Sequence, residues 1–378
     1  MSQHFSSPPR LVLGDGALEV VAAELPRLGT KALIVTDQGI INAGIHDIVT
    51  GILGADFPLQ TFSGVVGNPD VATVDAANEA RDAFDADILI AIGGGSSIDV
   101  AKAVAVLGTN GGSIADYEGV DKFENRPLPV VVIPTTVGSG SEVTKGAVIT
   151  NPETHVKMVI VSDLMFANIA ILDRRVVAGL PGRIAATTGM DALTHAIEAY
   201  VAKGANPVTD AINLGAIELI GANLVAASKG DGDALYNMLV ASSMAGIGFH
   251  DAGLGAVHAL ANTLGAHFGV HHGTANALFL PYVIDFNIPA APERFARIAA
   301  ALGEDVTGLS VDEAALRASA AVHRIAEETG VPRHLSEVGV SADAIPQLAK
   351  DAQTQADLPG NPREVTFADL TDLYNKAL

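Results

Sequence analysis

The chain changes its hydrophobic period near residue 180, and that change limits the folds open to it. Before it, short β-branched runs alternate with helical stretches; after it, helical spacing takes over. KALIVTD (31–37), ADILIAI (86–92), PVVVIP (129–134) and VKMVIVSD (156–163) read as strands that end at turn signals. VATVDAANEARDAF (71–84) and SSIDVAKAVAVLG (96–108) read as helices between them. Alternation of this kind predicts a parallel sheet in an α/β domain over residues 1–181. Long Ala/Leu/Ile stretches at 207–228, 233–249, 292–302 and 312–330 predict a helical domain over 182–378. A length of 378 residues suits two such cores better than one.

Composition narrows the function. A hydrophobic fraction of 49 % with 17 % charged residues is enough to fill a large interior, which argues against disorder. Aromatics make up 4 % and Trp is absent, so an aromatic binding platform is not expected. The formal charge of −21 disfavours nucleic acid and anionic membrane as partners. With no cysteine, disulfides and thiolate metal sites are excluded. The N-terminus lacks the pattern of a signal peptide, and runs such as ILIAI are too short to cross a bilayer. A cytoplasmic enzyme is the expectation.

Two loops have the chemistry of a phosphate site. IGGGSSIDVAKAVA (92–105) follows a strand and opens a helix. Its glycines allow close backbone approach, and the helix N-terminus offers free N–H groups. Ser96 and Asp99 fit a capping box. The usual G-x-G-x-x-G dinucleotide fingerprint is absent. PTTVGSGSEVT (134–144) is a second hydroxyl- and glycine-rich loop after a strand. Asp37, at the end of KALIVTD, could accept ribose hydroxyls and repel a 2′-phosphate, or could simply cap a helix.

Metal chemistry is suggested further along. GMDALTHAIEAYVA (189–202) is an apolar helix interrupted by Asp191 and His195, four residues apart and so on one face. His250, His258, His267, His271 and His272 crowd into 250–272. One carboxylate with imidazoles suits Zn²⁺ or Fe²⁺ and leaves the ion able to polarise an oxygen. Spacing alone does not say which histidines bind.

Taken together, GGGSSIDVAKA, PTTVGSGSEVT, GMDALTHAIEAY and GLGAVHALANTLGAHFGVHHG resemble the motifs of the iron-containing (group III) alcohol dehydrogenases, a family that includes lactaldehyde reductases and methanol- and butanol-type enzymes. The resemblance implies a dehydroquinate synthase-like architecture and hydride transfer between a small alcohol or aldehyde and NAD, with NADP less favoured. It implies metal ligands at Asp191, His195, His258 and His272, holding Fe²⁺ with Zn²⁺ able to replace it. Cofactor contacts would fall on Asp37, Asn68, Gly94, Gly95, Ser96, Asp99, Thr135, Thr136, Ser139, Thr144 and Lys157. Phe249 would line the substrate pocket, beside the small residues Gly246 and Gly248. Relatives are often homodimers or larger homo-oligomers. The chain departs from the family at one place: where many members carry HxxxH, this chain has Asn262. Asn262 can hydrogen-bond but cannot titrate near neutral pH, so His267, His271 or a water chain would substitute in a proton relay, or proton transfer would be slower. A dehydroquinate synthase-like lyase and a maleylacetate reductase-like enzyme are the alternative readings.

Overall fold

The structure, a computed structural model, describes residues 5–6, 9–54, 56–152 and 156–378. It divides into two compact units, one built from Ser6–Thr136 and Gly140–Gly179, the other from Val137–Ser139 and Leu180–Leu378.

The first unit alternates strands and helices: β1 (Arg10–Leu13), α1 (Ala17–Leu28), β2 (Ala32–Val35), α2 (Gln38–Asn42), α3 (Ile45–Leu53), β3 (Leu59–Phe62), α4 (Val71–Phe84), β4 (Ile88–Gly93), α5 (Gly95–Asn110), β5 (Gly119–Val120), β6 (Val130–Pro134), β7 (Gly146–Asn151), β8 (Val156–Val161) and β9 (Ile169–Leu172). A six-stranded sheet has the order β1-β9-β6-β4-β2-β3, and every pair in it is parallel. Its central strands β2, β4 and β6 are buried along their whole length, as expected where helices cover both faces. After β2 the chain goes outward to β3, then returns to place β4 on the other side of β2. The carboxyl ends of β2 and β4 therefore form the topological switch point, where open α/β sheets bind ligands.

One expected strand lies elsewhere. VKMVIV forms β8, but β8 pairs antiparallel with β7 in a separate three-stranded sheet. The burial pattern gives the reason. Met158 and Ile160 are buried while Val159 is 47 % exposed, the period-2 signature of a sheet with one open face. The strands β1, β3 and β9 complete the parallel sheet beyond those expected from sequence.

The second unit is helical: α6 (Gly182–Val201), α7 (Pro207–Ser228), α8 (Gly232–Ala252), α9 (Ala256–Phe268), α10 (His272–Asn287), α11 (Pro292–Ala301), α12 (Val311–Thr329), α13 (Ile345–Ala352) and α14 (Phe367–Ala377). Helix α6 is the centre of the bundle, buried from Ala185 to Val201 and packed against α7, α8 and α10. Its Ala- and Gly-rich sequence permits that. A Cβ at Gly189 would meet Leu224 Cδ1 of α7 at 2.2 Å. By length and composition α7 could cross a membrane, yet it packs along α6 and α8 and carries a buried Asn213.

Candidate metal centre and cofactor loops

Three helices bring together the carboxylate and imidazoles. Asp191 and His195 lie mid-way along α6, His258 in the first turn of α9, and His272 at the first residue of α10. One ligand atom from each lies within 4.8 Å of the others. Asp191 Oδ1 is 3.9 Å from His195 Nε2 and 3.6 Å from His272 Nε2. The His195 ring stacks on that of His258 at 4.7 Å between centroids. Close approach of α10 to α6 depends on Gly273, where a Cβ would lie 2.2 Å from Thr187 O. Asp191, His195 and His258 are buried, while the His272 side chain is 33 % exposed.

Electrostatics favour a ligating set. Burial opposes the charge of Asp191, but His195, His272, His258 and a hydrogen bond from Asn276 hold its carboxyl below the ordinary range. Burial brings His195 down to about 4, so it stays neutral with a lone pair to offer. His258 behaves differently. Burial alone would lower it, but its Nδ1 lies 2.6 Å from Glu198 Oε2, and that carboxylate raises it above its ordinary value. Glu198 also accepts from Val257 N at 2.7 Å, so it caps α9 and orients the imidazole together. With Nδ1–H committed to Glu198, Nε2 carries the ligand lone pair. One carboxylate and three imidazoles match the donor set of Fe²⁺ or Zn²⁺.

Glu198 and Asn276 did not stand out from sequence, though Glu198 lies three residues after His195 and Asn276 four after His272, both spacings that share a helix face. Phe249 stacks on His195 with centroids 4.4 Å apart, which sets it against the cluster. Gly248 does not widen a pocket there: a Cβ would collide with Asn213 Oδ1 at 1.8 Å, so this glycine is spent on the α7–α8 contact. Asn262 is on the His258 face of α9 and donates to Asp357 Oδ2 at 3.3 Å. The structure does not bring His267 to the cluster. It lies nine residues beyond His258, half a turn round and about 13 Å along the axis, where it pairs with Asp351 at 2.8 Å. His271 precedes α10 as its N-cap residue, without a side-chain capping bond.

The two loops meet at the switch point of the other unit. Gly93 ends β4 with φ 154°, and a Cβ there would be 2.5 Å from Ser97 Oγ and 3.6 Å from Asp37 Oδ2. A Cβ on Gly94 would reach Thr136 at 3.1 Å. Thr135 N donates to Gly93 O. The hydroxyls of Ser97 and Thr135 are buried without a protein partner among the described residues, an unmet hydrogen-bonding capacity beside a helix N-terminus that fits a pyrophosphate. Asp37 caps α2 through Oδ1, accepting from Gly39 N at 2.7 Å and Ile40 N at 3.1 Å. Only one oxygen is used, so capping and ribose binding are compatible. Asn68 is exposed with φ 55°, a conformation Asn tolerates.

The expected Ser96–Asp99 capping box is not formed. Helix α5 starts earlier, with Gly94 as N-cap, and Asp99 turns to the second loop instead. Its Oδ1 accepts from Ser141 Oγ at 2.6 Å and its Oδ2 from Val148 N at 3.0 Å. Beside it the buried Lys102 donates to Ser141 O at 2.6 Å, Thr144 O at 2.7 Å and Gly146 O at 3.0 Å. Burial lowers this lysine to about 8, against the pull of Asp99 and Glu142. Thr144 is thus engaged with Lys102, and Lys157 sits on β8, where its charge is felt by Asp99. Asp99 and Thr144 are tied into the framework that holds the loop. Gly95 and Ser96 open α5, and Ser139 belongs with Val137 and Gly138 to the helical unit.

A doubly wound sheet with a phosphate-type loop, and a helical unit carrying a carboxylate–imidazole cluster, define a class of two-unit proteins equipped for a nucleotide and a divalent ion. The pattern of the iron-containing alcohol dehydrogenases matches residues 8–174, and that of the C-terminal part of the same family matches residues 185–378, so the chain belongs to the iron-containing alcohol dehydrogenase family. It is 40 % identical to the NAD-dependent methanol dehydrogenase of Bacillus methanolicus, over 99 % of this chain and 100 % of that one. It is 39 % identical to lactaldehyde reductase of Escherichia coli, over 96 % of both. The crystal structure of a 1,3-propanediol oxidoreductase superposes with a TM-score of 0.97 at 38 % identity and full coverage of both chains. The protein is an oxidoreductase acting as an alcohol dehydrogenase or aldehyde reductase; the lyase and maleylacetate reductase readings gain no support from these relatives.

Proposed function

We propose that this enzyme moves hydride between a small primary alcohol and NAD, with Asp191, His195, His258 and His272 holding a divalent ion. The convergence of those four ligand atoms within 4.8 Å carries the reading. A bound Fe²⁺ or Zn²⁺ would supply Lewis acidity toward the alcohol or carbonyl oxygen, and NAD the hydride acceptor. The protein's own groups do the rest. Glu198 keeps His258 in the ligating tautomer. Gly94, Gly95, Ser96, Thr135 and Thr136 cradle the pyrophosphate, and Asp37 turns its second oxygen to the ribose and away from a 2′-phosphate. Phe249, stacked on His195, limits the substrate to small molecules, in keeping with relatives named for methanol, lactaldehyde and 1,3-propanediol. Asn262 and Asp357 lie on the proton path in place of a titrating histidine; burial raises the Asp357 carboxyl, against the pull of His258. The formal charge of −21 suits a soluble enzyme; a cytoplasmic homo-oligomer is the form we propose for it.

Metal analysis of the purified protein, with primary alcohols, diols and hydroxy acids assayed by NADH absorbance, tests this. One divalent ion per chain and net NADH from a small primary alcohol or diol are expected. NADH binding without turnover of any member of the panel would overturn it.

A further inference from the structure

We infer that Asn276 is a positioning residue that holds the carboxylate of Asp191 in its ligating orientation. The inference rests on the four-ligand reading above. Asn276 is fully buried, on the face of α10 that also carries His272. Its Nδ2 lies 2.6 Å from Asp191 Oδ1, 3.3 Å from His258 Nε2 and 3.2 Å from His272 Nε2. A single amide nitrogen thus reaches ligand atoms on all three helices that build the site.

The chemistry sets the orientation of the amide. Ionised Asp191 can only accept, so the atom 2.6 Å away must be the nitrogen. His258 gives its Nδ1–H to Glu198, which leaves Nε2 as an acceptor. The amide oxygen is buried with no partner among the described residues. A buried acceptor left unsatisfied is unfavourable, and turning the amide over would put oxygen against carboxylate, which is worse. Asn276 therefore does for Asp191 what Glu198 does for His258: each holds one ligand's lone pairs in a set direction. Glu198 acts through Nδ1 and leaves the Nε2 lone pair to the ion; Asn276 acts through one lone pair of Asp191 Oδ1 and leaves the carboxylate others to offer.

Such outer contacts typically change metal affinity about 10–100-fold. The test uses the metal-loaded protein dialysed against graded chelator, with metal content and NADH affinity both read. Asn276→Ala should release the ion at about tenfold less chelator or lower, with NADH affinity unchanged. Asn276→Asp keeps the shape but faces a second carboxylate toward Asp191. It should lower the Tm of the chelator-treated protein and show a larger rise in Tm on adding Zn²⁺ than wild type does. His258→Ala is the control for the ligand set. If His258→Ala loses its ion while Asn276→Ala and Asn276→Asp hold theirs like wild type, Asn276 is not a positioning residue. A lowered Tm in both variants with no change in metal retention would show plain packing and overturn the inference equally. If His258→Ala keeps its ion, the ligand reading itself fails.

Discussion

The metal cluster and the cofactor loops solve the same problem in opposite ways. In the helical unit the functional atoms belong to side chains, and two of the four are held by side chains from distant parts of the sequence: Glu198 on His258, Asn276 on Asp191. In the α/β unit the functional groups are mostly backbone, and the residues that matter are those that leave room, Gly93 and Gly94. Side-chain donors suit a small ion that demands set distances and tautomers. Backbone N–H groups at a helix start suit a large, diffuse anion. The second loop still has a side-chain brace, since Lys102 ties two of its carbonyls and that of Gly146 at the start of β7, but that brace never needs to touch the ligand.

The largest test of this contrast is His258→Ala. It should strip the ion and lower kcat/KM by about a thousandfold, ~4 kcal/mol at the transition state, while NADH binding measured by fluorescence stays near wild type. Loss of both together would mean that the two sites are not separable. Gly93→Ala should do the converse. At φ 154° and 2.5 Å from Ser97 Oγ, the new methyl costs about 1–3 kcal/mol and weakens NADH binding, with metal content intact. Unchanged NADH affinity in calorimetry would remove the loop from the cofactor site.

Glu198→Gln sharpens the side-chain half. It should weaken metal affinity about 10–100-fold, most strongly at high pH. The sign follows from His258. Glu198 raises its proton affinity, so in wild type a second proton, on Nε2, begins to displace the ion at a higher pH than for an ordinary histidine. Removing the carboxylate's charge lowers that onset, and the gap between variant and wild type should narrow as pH falls. A gap that widens toward acid would contradict the assigned tautomer. The smallest effect is expected at Asp37. Asp37→Ser keeps a helix cap but removes the charge. Relative kcat/KM should shift toward NADP by about tenfold, ~1.4 kcal/mol; a constant ratio would leave Asp37 as a cap alone.

Much of the site was legible because both halves are written in local spacing. Asp191 and His195 lie four apart on one helix, and the glycine run follows a strand, so each pattern can be read inside a dozen residues. The tight turn at Gly93 was legible for the same reason. Glu198 was not, although it sits in the quoted helix: a carboxylate there is indistinguishable from a capping or solvated one until α9 arrives with Val257 and His258. The Ser96–Asp99 box failed because local capping lost to tertiary hydrogen bonds from Ser141 and Val148.

By itself the sequence determined the two architectures, through the change from mixed to purely helical period, and the donor types available, through one carboxylate among clustered histidines. Only the tertiary structure decided which imidazoles converge, that His267 points away from them, and that β8 leaves the parallel sheet. The reason is physical. Period and turn chemistry act between near neighbours in the chain, whereas a ligand cluster depends on how closely whole helices approach, and that is set by single glycines such as Gly273 whose effect appears only when the partner helix is in place.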